Sequence, residues 1–135
     1  MKIEGKCHCG EITFSAEVEP DQVFLCHCLD YQALSGSSFR TNIRAIEGTF
    51  KIESGAPKIY VKTAEDRAKR AQAFCPNCGS PIYAGPEEDL SLQYVNMRVG
   101  LIKQKSRLKP NKQIWCRSSL EWIQELSDIQ KNETE

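Results

Sequence analysis

The chain has 135 residues, enough for a single hydrophobic core. Its 18 basic and 18 acidic residues cancel to a net charge of zero, which excludes a protein that coats nucleic acid through excess positive charge. Hydrophobic residues at 40% and charged residues at 27% exclude a disordered chain. No apolar run approaches the ~18 residues that span a bilayer.

In chain order, the first segment, Met1-Lys2-Ile3-Glu4-Gly5-Lys6-Cys7, lacks the apolar stretch of a secretory signal, so a cytoplasmic location is expected. Residues 11–18 alternate, with Ile12, Phe14, Ala16 and Val18 on one face and Glu11, Thr13, Ser15 and Glu17 on the other, which predicts a half-buried strand. Pro20-Asp21 reads as a turn, and Val23-Phe24-Leu25 as a short buried strand leading into Cys26. A loop or short helix is expected between Asp30 and Arg40, then strands at Ile43–Ile46, Phe50–Ile52, Lys58–Lys62 and Arg70–Phe74. After Pro81-Ile82-Tyr83, Ala84-Gly85-Pro86 reads as a turn. Alternation resumes at Leu90-Ser91-Leu92-Gln93-Tyr94 and runs on through Val95, Met97 and Val99.

The basic residues Lys103, Lys105, Arg107, Lys109 and Lys112 carry no interleaved aromatic for base stacking and read as a solvated face. Ser118 with Glu121 matches a capping box, and Leu120, Trp122, Ile123, Leu126 and Ile129 form an apolar stripe, so one helix is expected near the C-terminus. These elements describe a mainly β domain over residues 1–130, with a frayed tail at 131–135. Trp115 and Trp122 are expected in the core, and Cys116 as a small buried apolar side chain.

Cysteine carries most of the chemical information. Six of the seven cysteines fall in three pairs: Cys7-His8-Cys9, Cys26-His27-Cys28 and Cys75-Pro76-Asn77-Cys78. An odd count without an export signal argues against a disulfide scaffold, and closely spaced thiols in a reducing compartment point to metal. Cys75-Pro76-Asn77-Cys78-Gly79 has the form of a zinc knuckle, in which glycine permits a tight turn that aims backbone N–H groups at sulfur. A redox C-x-x-C would open a helix, whereas strand-like Ile82-Tyr83 follows here. A closed four-sulfur site needs two of the three pairs, and spacing alone allows any two. His8 and His27, in the middle of C-x-C pairs, are expected as exposed spacers.

Three motifs in order, Gly5-Lys6-Cys7-His8-Cys9-Gly10, Cys26-His27-Cys28-x-x-Tyr31 with Leu34-Ser35-Gly36-Ser37-Ser38-Phe39, and Phe74-Cys75-Pro76-Asn77-Cys78-Gly79-Ser80-Pro81, resemble the glutathione-dependent formaldehyde-activating enzyme (GFA) family, or CENP-V/GFA domain, over about residues 3–123. The resemblance implies the Mss4-like β-tent of small twisted antiparallel sheets around a structural zinc. It implies that Cys7, Cys9, Cys75 and Cys78 hold that zinc, and that a middle C-x-C-x-x-C holds a second, catalytic one. Here that motif supplies Cys26 and Cys28, with Tyr31 in place of the third cysteine. A phenol ionises near pH ~10, so it replaces an anionic thiolate poorly, and a second zinc is expected to be weak or absent.

By the same resemblance, Cys26, Cys28 and Tyr31 face the catalytic pocket and Ser35, Gly36 and Ser37 line it. The implied reaction is that of a carbon–sulfur lyase of the S-(hydroxymethyl)glutathione synthase type, joining a small thiol such as glutathione to a small aldehyde. Two alternatives stand beside it: a non-catalytic zinc-stabilised binding module on the same fold, and a thiol-redox enzyme using Cys116 or the middle pair. Neither nucleic acid nor membrane is expected as a partner.

Overall fold

A computed structural model describes residues 1–87 and 94–135. Nine strands are present among them: β1 (Lys2–Lys6), β2 (Thr13–Cys26), β3 (Arg40–Ala45), β4 (Lys51–Ser54), β5 (Lys58–Thr63), β6 (Lys69–Phe74), β7 (Pro81–Pro86), β8 (Asn96–Arg98) and β9 (Lys112–Ile114). The one α-helix described is α1 (Leu29–Ser35). The mainly antiparallel β architecture agrees with the expectation from the sequence.

The organising element is β2. Its first half carries the predicted alternation, with Phe14, Ala16 and Val18 buried, and pairs with β1 on one side and β4 on the other. Its second half pairs with β3 and, in parallel, with β9. Between Val18 and Val23 the register shifts. The strand therefore bends at Pro20 instead of ending in the turn expected there, because proline lacks the N–H a regular ladder needs. From β3 the sheet continues through β8, β7 and β6 to β5.

The core lies between these strands and contains Ile3, Ile12, Phe14, Val18, Val23, Ile43, Ile82, Met97 and Ile102, together with Cys7 and Cys75. Gly5 is required by this packing. A Cβ there would lie 2.1 Å from Cζ of Phe14, its cross-strand partner.

Several expectations are corrected. Ala84-Gly85-Pro86 is not a turn but the buried end of β7, paired with β6. The alternation at Leu90–Gln93 lies outside the described residues; beyond it, strand is confined to Asn96–Arg98, and Val99–Leu101 forms a 3-10 turn. The C-terminal stripe forms a 3-10 segment over Glu121–Asp128, with Leu120 at its N-cap and no side-chain capping bond, so the Ser118 box is not made. That segment leaves Trp122 46% and Leu126 46% exposed, and Trp115 is 39% exposed, so neither tryptophan is core. Cys116 is likewise exposed. The basic residues from Lys103 to Lys112 are exposed as expected, and Lys103 lies 3.6 Å from Glu4. No helix among the described residues is long and apolar enough to cross a membrane.

Candidate functional site

Two turns at one end of the sheet meet face to face. The first follows β1, where Cys7 N–H donates to Ile12 O at 3.0 Å and Gly10 N–H donates to Cys7 O at 3.1 Å. The second joins β6 to β7, where Cys75 N–H donates to Ser80 O and Gly79 N–H to Cys75 O, both at 2.9 Å. Gly79 closes that turn at φ +74°, a conformation that glycine adopts without strain. His8 N–H donates to Ser80 Oγ at 3.1 Å and ties the turns together, while the His8 ring is exposed as expected.

This docking gathers the sulfurs of Cys7, Cys9, Cys75 and Cys78 within 4.8 Å of one another. Cys7 and Cys9 sulfurs are 3.5 Å apart, and Cys9 and Cys75 sulfurs 3.7 Å. A tetrahedral ion held by four thiolates at ~2.3 Å would set them ~3.8 Å apart, so the donors present fit a metal ion. Backbone and hydroxyl donors already favour thiolate here. The Ser80 hydroxyl, at 3.2 Å, is the main influence holding Cys78 at about 5, and the Glu11 N–H lowers Cys9. Cys75 receives the Cys78 N–H, but burial and the thiols of Cys78 and Cys9 outweigh it and raise Cys75 to about 11. The Ile12 N–H points at Cys7 sulfur from 3.3 Å.

The third pair sits elsewhere, where β2 runs into α1. Cys26 ends β2 and Cys28 is the N-cap of α1, its sulfur accepting the Tyr31 N–H at 3.4 Å. A hydrogen bond from Cys26 is the main cause lowering Cys28 to about 6, with the Tyr31 N–H and the charge of Lys62 adding to it; Cys26 is raised in return. Cys26, Cys28, Tyr31 and Lys62 line a cavity of about 940 Å³, with Trp115 also on its wall.

Between the two cysteines, His27 is not the exposed spacer expected from the sequence. It is 0% exposed, its Nε2 is 2.7 Å from Gln113 Oε1 on β9, and its ring packs edge-on against Phe39. The parallel strand β9 creates this environment by covering β2 at Cys26, where His27 N–H donates to Ile114 O at 3.1 Å. Ser35, Gly36 and Ser37 form the end of α1. Ser35 Oγ donates to Tyr31 O at 2.6 Å, and Gly36, at φ +63°, returns its N–H to Gln32 O. None of these three is among the residues lining the 940 Å³ cavity.

Tyr31 does not behave as a metal ligand in waiting. Arg40, Arg98 and Lys62 place their cationic groups 4.6, 5.1 and 5.3 Å from its ring centre. Among the described residues, no third cysteine, histidine or carboxylate completes a ligand set with Cys26 and Cys28. Two thiols near two guanidinium groups without a carboxylate partner among the described residues, with Lys62 already paired to Asp30, do not fit a firmly held dication, since like charges repel.

The arginines were not legible as site residues. Arg40 and Arg98 are each 5% exposed. Arg40 Nη1 and Arg98 Nη2 both donate to Gln72 Oε1, at 3.2 and 3.1 Å, and Arg98 Nη1 donates to Asn42 Oδ1. Burying an unpaired ion costs several kcal/mol, and a desolvated cation–π contact returns about 2. The amides of Gln72 and Asn42 fix both guanidinium groups but leave two positive charges. Burial first, then the charge of Arg40, pushes Arg98 down to about 10, so it is still charged at neutral pH. The available signal was Met97-Arg98-Val99, a lone cation in an apolar run.

The family described as glutathione-dependent formaldehyde-activating enzyme (GFA) matches residues 2–118. The chain belongs to the GFA family. No curated protein matches this GFA chain. A crystal structure of a Rhodobacter sphaeroides protein, a structural-genomics target, superposes with a TM-score of 0.60 over 82% of this chain and 98% of its own, at 15% identity. At that identity the likeness concerns the fold alone.

Proposed function

We propose that this GFA protein joins a small thiol to a small aldehyde, as a carbon–sulfur lyase of the S-(hydroxymethyl)glutathione synthase type working in the direction of addition, with zinc at Cys7, Cys9, Cys75 and Cys78 in a structural role. The observation that carries the reading is the juxtaposition of a thiol at about 6, a tyrosine hydroxyl and a lysine on one cavity wall. Zinc suits the four-sulfur cluster because it takes thiolates in a closed tetrahedron and does no redox chemistry.

In the reaction, the Cys28 thiolate takes the proton of the incoming thiol, a task for which a group titrating near neutrality is suited. The freed sulfur attacks the aldehyde carbon, the carbon–oxygen π pair moves to oxygen, and the Tyr31 hydroxyl protonates it. Lys62, held at 2.6 Å by Asp30, faces the negative charge that develops on that oxygen. The proton on Cys28 then returns through solvent to Tyr31, leaving a hemithioacetal and an unchanged protein. Glutathione with formaldehyde is the substrate pair that family membership favours.

Glutathione-dependent loss of formaldehyde above the uncatalysed rate tests the proposal. Cys28→Ser and Cys26→Ser are each expected to reduce it at least 100-fold with the fold retained. Absence of any acceleration with glutathione or other small thiols would retire the enzyme reading in favour of a non-catalytic binding module, which the incomplete ligand set around Cys26 and Cys28 would then explain.

A further inference from the structure

Arg40 and Arg98 border a second pocket, of about 360 Å³, whose lining includes none of Cys26, Cys28 and Tyr31. Its polar floor is Arg40, Arg98 and Gln72, and its walls include Leu34, Tyr60 and Phe74. Three features of that floor point to a ligand. Among the described residues, the ion pairs involve neither arginine, so the two charges are not cancelled by any carboxylate. The group shared between them is the neutral amide of Gln72, where a glutamate of nearly the same shape would cancel one of the two charges. Among the described residues, Arg40 Nε, Arg98 Nε and Gln72 Nε2 are buried donors that find no partner, although buried polar groups are nearly always hydrogen-bonded.

We infer that this pocket is a binding site for a small molecule carrying a carboxylate on an apolar body, the carboxylate meeting Arg40 and Arg98 and the body lying against Leu34, Tyr60 and Phe74. The chemistry of the donors selects the anion, since guanidinium groups present planar pairs of N–H donors that match a carboxylate. The walls select against a fully hydrated ion such as phosphate. Gln72 keeps the floor positive while its oxygen holds both guanidinium groups in position.

The site requires no thiol or aldehyde, so it stands or falls independently of the addition chemistry. Benzoate, its neutral counterpart benzamide, and inorganic phosphate are titrated into the full chain and followed by calorimetry and by backbone amide shifts. Saturable benzoate binding at least tenfold tighter than benzamide is expected, with shifts at Arg40, Gln72 and Arg98. Gln72→Glu supplies an internal carboxylate and is expected to weaken benzoate at least tenfold without lowering the melting temperature. Arg40→Met, which keeps an unbranched chain, is expected to show the same loss and serves if the glutamate variant does not fold. Benzoate no tighter than benzamide, phosphate tighter than benzoate, or undiminished benzoate binding in the folded variants would overturn the inference.

Discussion

Cys28 illustrates how one side chain acquires its chemistry from neighbours that the motif around it does not name. A thiol with an ordinary value of 9.0 is brought to about 6 by the Cys26 hydrogen bond, the Tyr31 N–H and the charge of Lys62, against the opposing effects of burial and Asp30. Below pH 6 the group is protonated and unreactive, and above it the thiolate dominates. In protein whose metal has been confined to the four-sulfur site, alkylation of Cys28 by iodoacetamide should rise with a midpoint near pH 6, read by peptide mass spectrometry. Lys62→Met should move that midpoint upward, because an attractive charge has been removed. A midpoint at the ordinary thiol value in the native chain would remove the basis for Cys28 as a proton acceptor.

The turns and strands impose their own constraints on that chemistry. β1 must approach β2 closely to bring Cys7 and Cys9 to the knuckle, and the ring of Phe14 fills the space that a side chain at position 5 would need. Gly5→Ala places a methyl group inside that ring's volume, so Phe14 must leave its position or the strands must part. Overpacking of this kind costs about 1–3 kcal/mol, expected as a lower denaturant midpoint with an unchanged slope. An unchanged midpoint would show that the β1–β2 pairing is looser than drawn. The bend in β2 at Pro20 has a comparable role: it lets one strand hold β1 and β4 with its first half and β3 and β9 with its second. The sulfur cluster and the thiol cavity are therefore connected through a single strand.

For the molecule as a whole, the proposed function divides stability from chemistry between the two cysteine regions. A structural zinc contributes ~10–16 kcal/mol in small peptides, comparable with the ~5–15 kcal/mol net stability of a whole domain. Chelation at the four-sulfur cluster should therefore unfold the chain, and Cys75→Ser should prevent its folding, as seen in far-ultraviolet circular dichroism. Elemental analysis of protein purified without added metal should give one zinc per chain, because the cations around Tyr31 oppose a second ion beside Cys26 and Cys28. Two zinc ions per chain would contradict that electrostatic argument. Metal affinity should fall as pH drops, since each proton regained by a ligand thiol must be displaced again on binding.

Much of this was written locally. The C-x-C and C-x-x-C-Gly spacings are short-range turn chemistry, so the three cysteine pairs were readable as candidate ligands, the resemblance implied Cys7, Cys9, Cys75 and Cys78 as the set, and the period of two in residues 13–18 disclosed the face of β2 on the core. Which pairs would share an ion was open on spacing alone; the meeting of the β1 and β6–β7 turns closes the question. The parallel strand β9 had too few residues to show a period, and with it the burial of His27 was invisible. The same holds for the charged floor. Arg98 finds Asn42 across 56 positions and Gln72 across 26, and Arg40 finds Gln72 across 32. Side-chain periodicity reports which way a residue points relative to its own strand. Whether a cation pointing inward meets a carboxylate, an amide or a ring depends on strands that the chain delivers from far away, and only their assembly makes Tyr31 the centre of three positive charges.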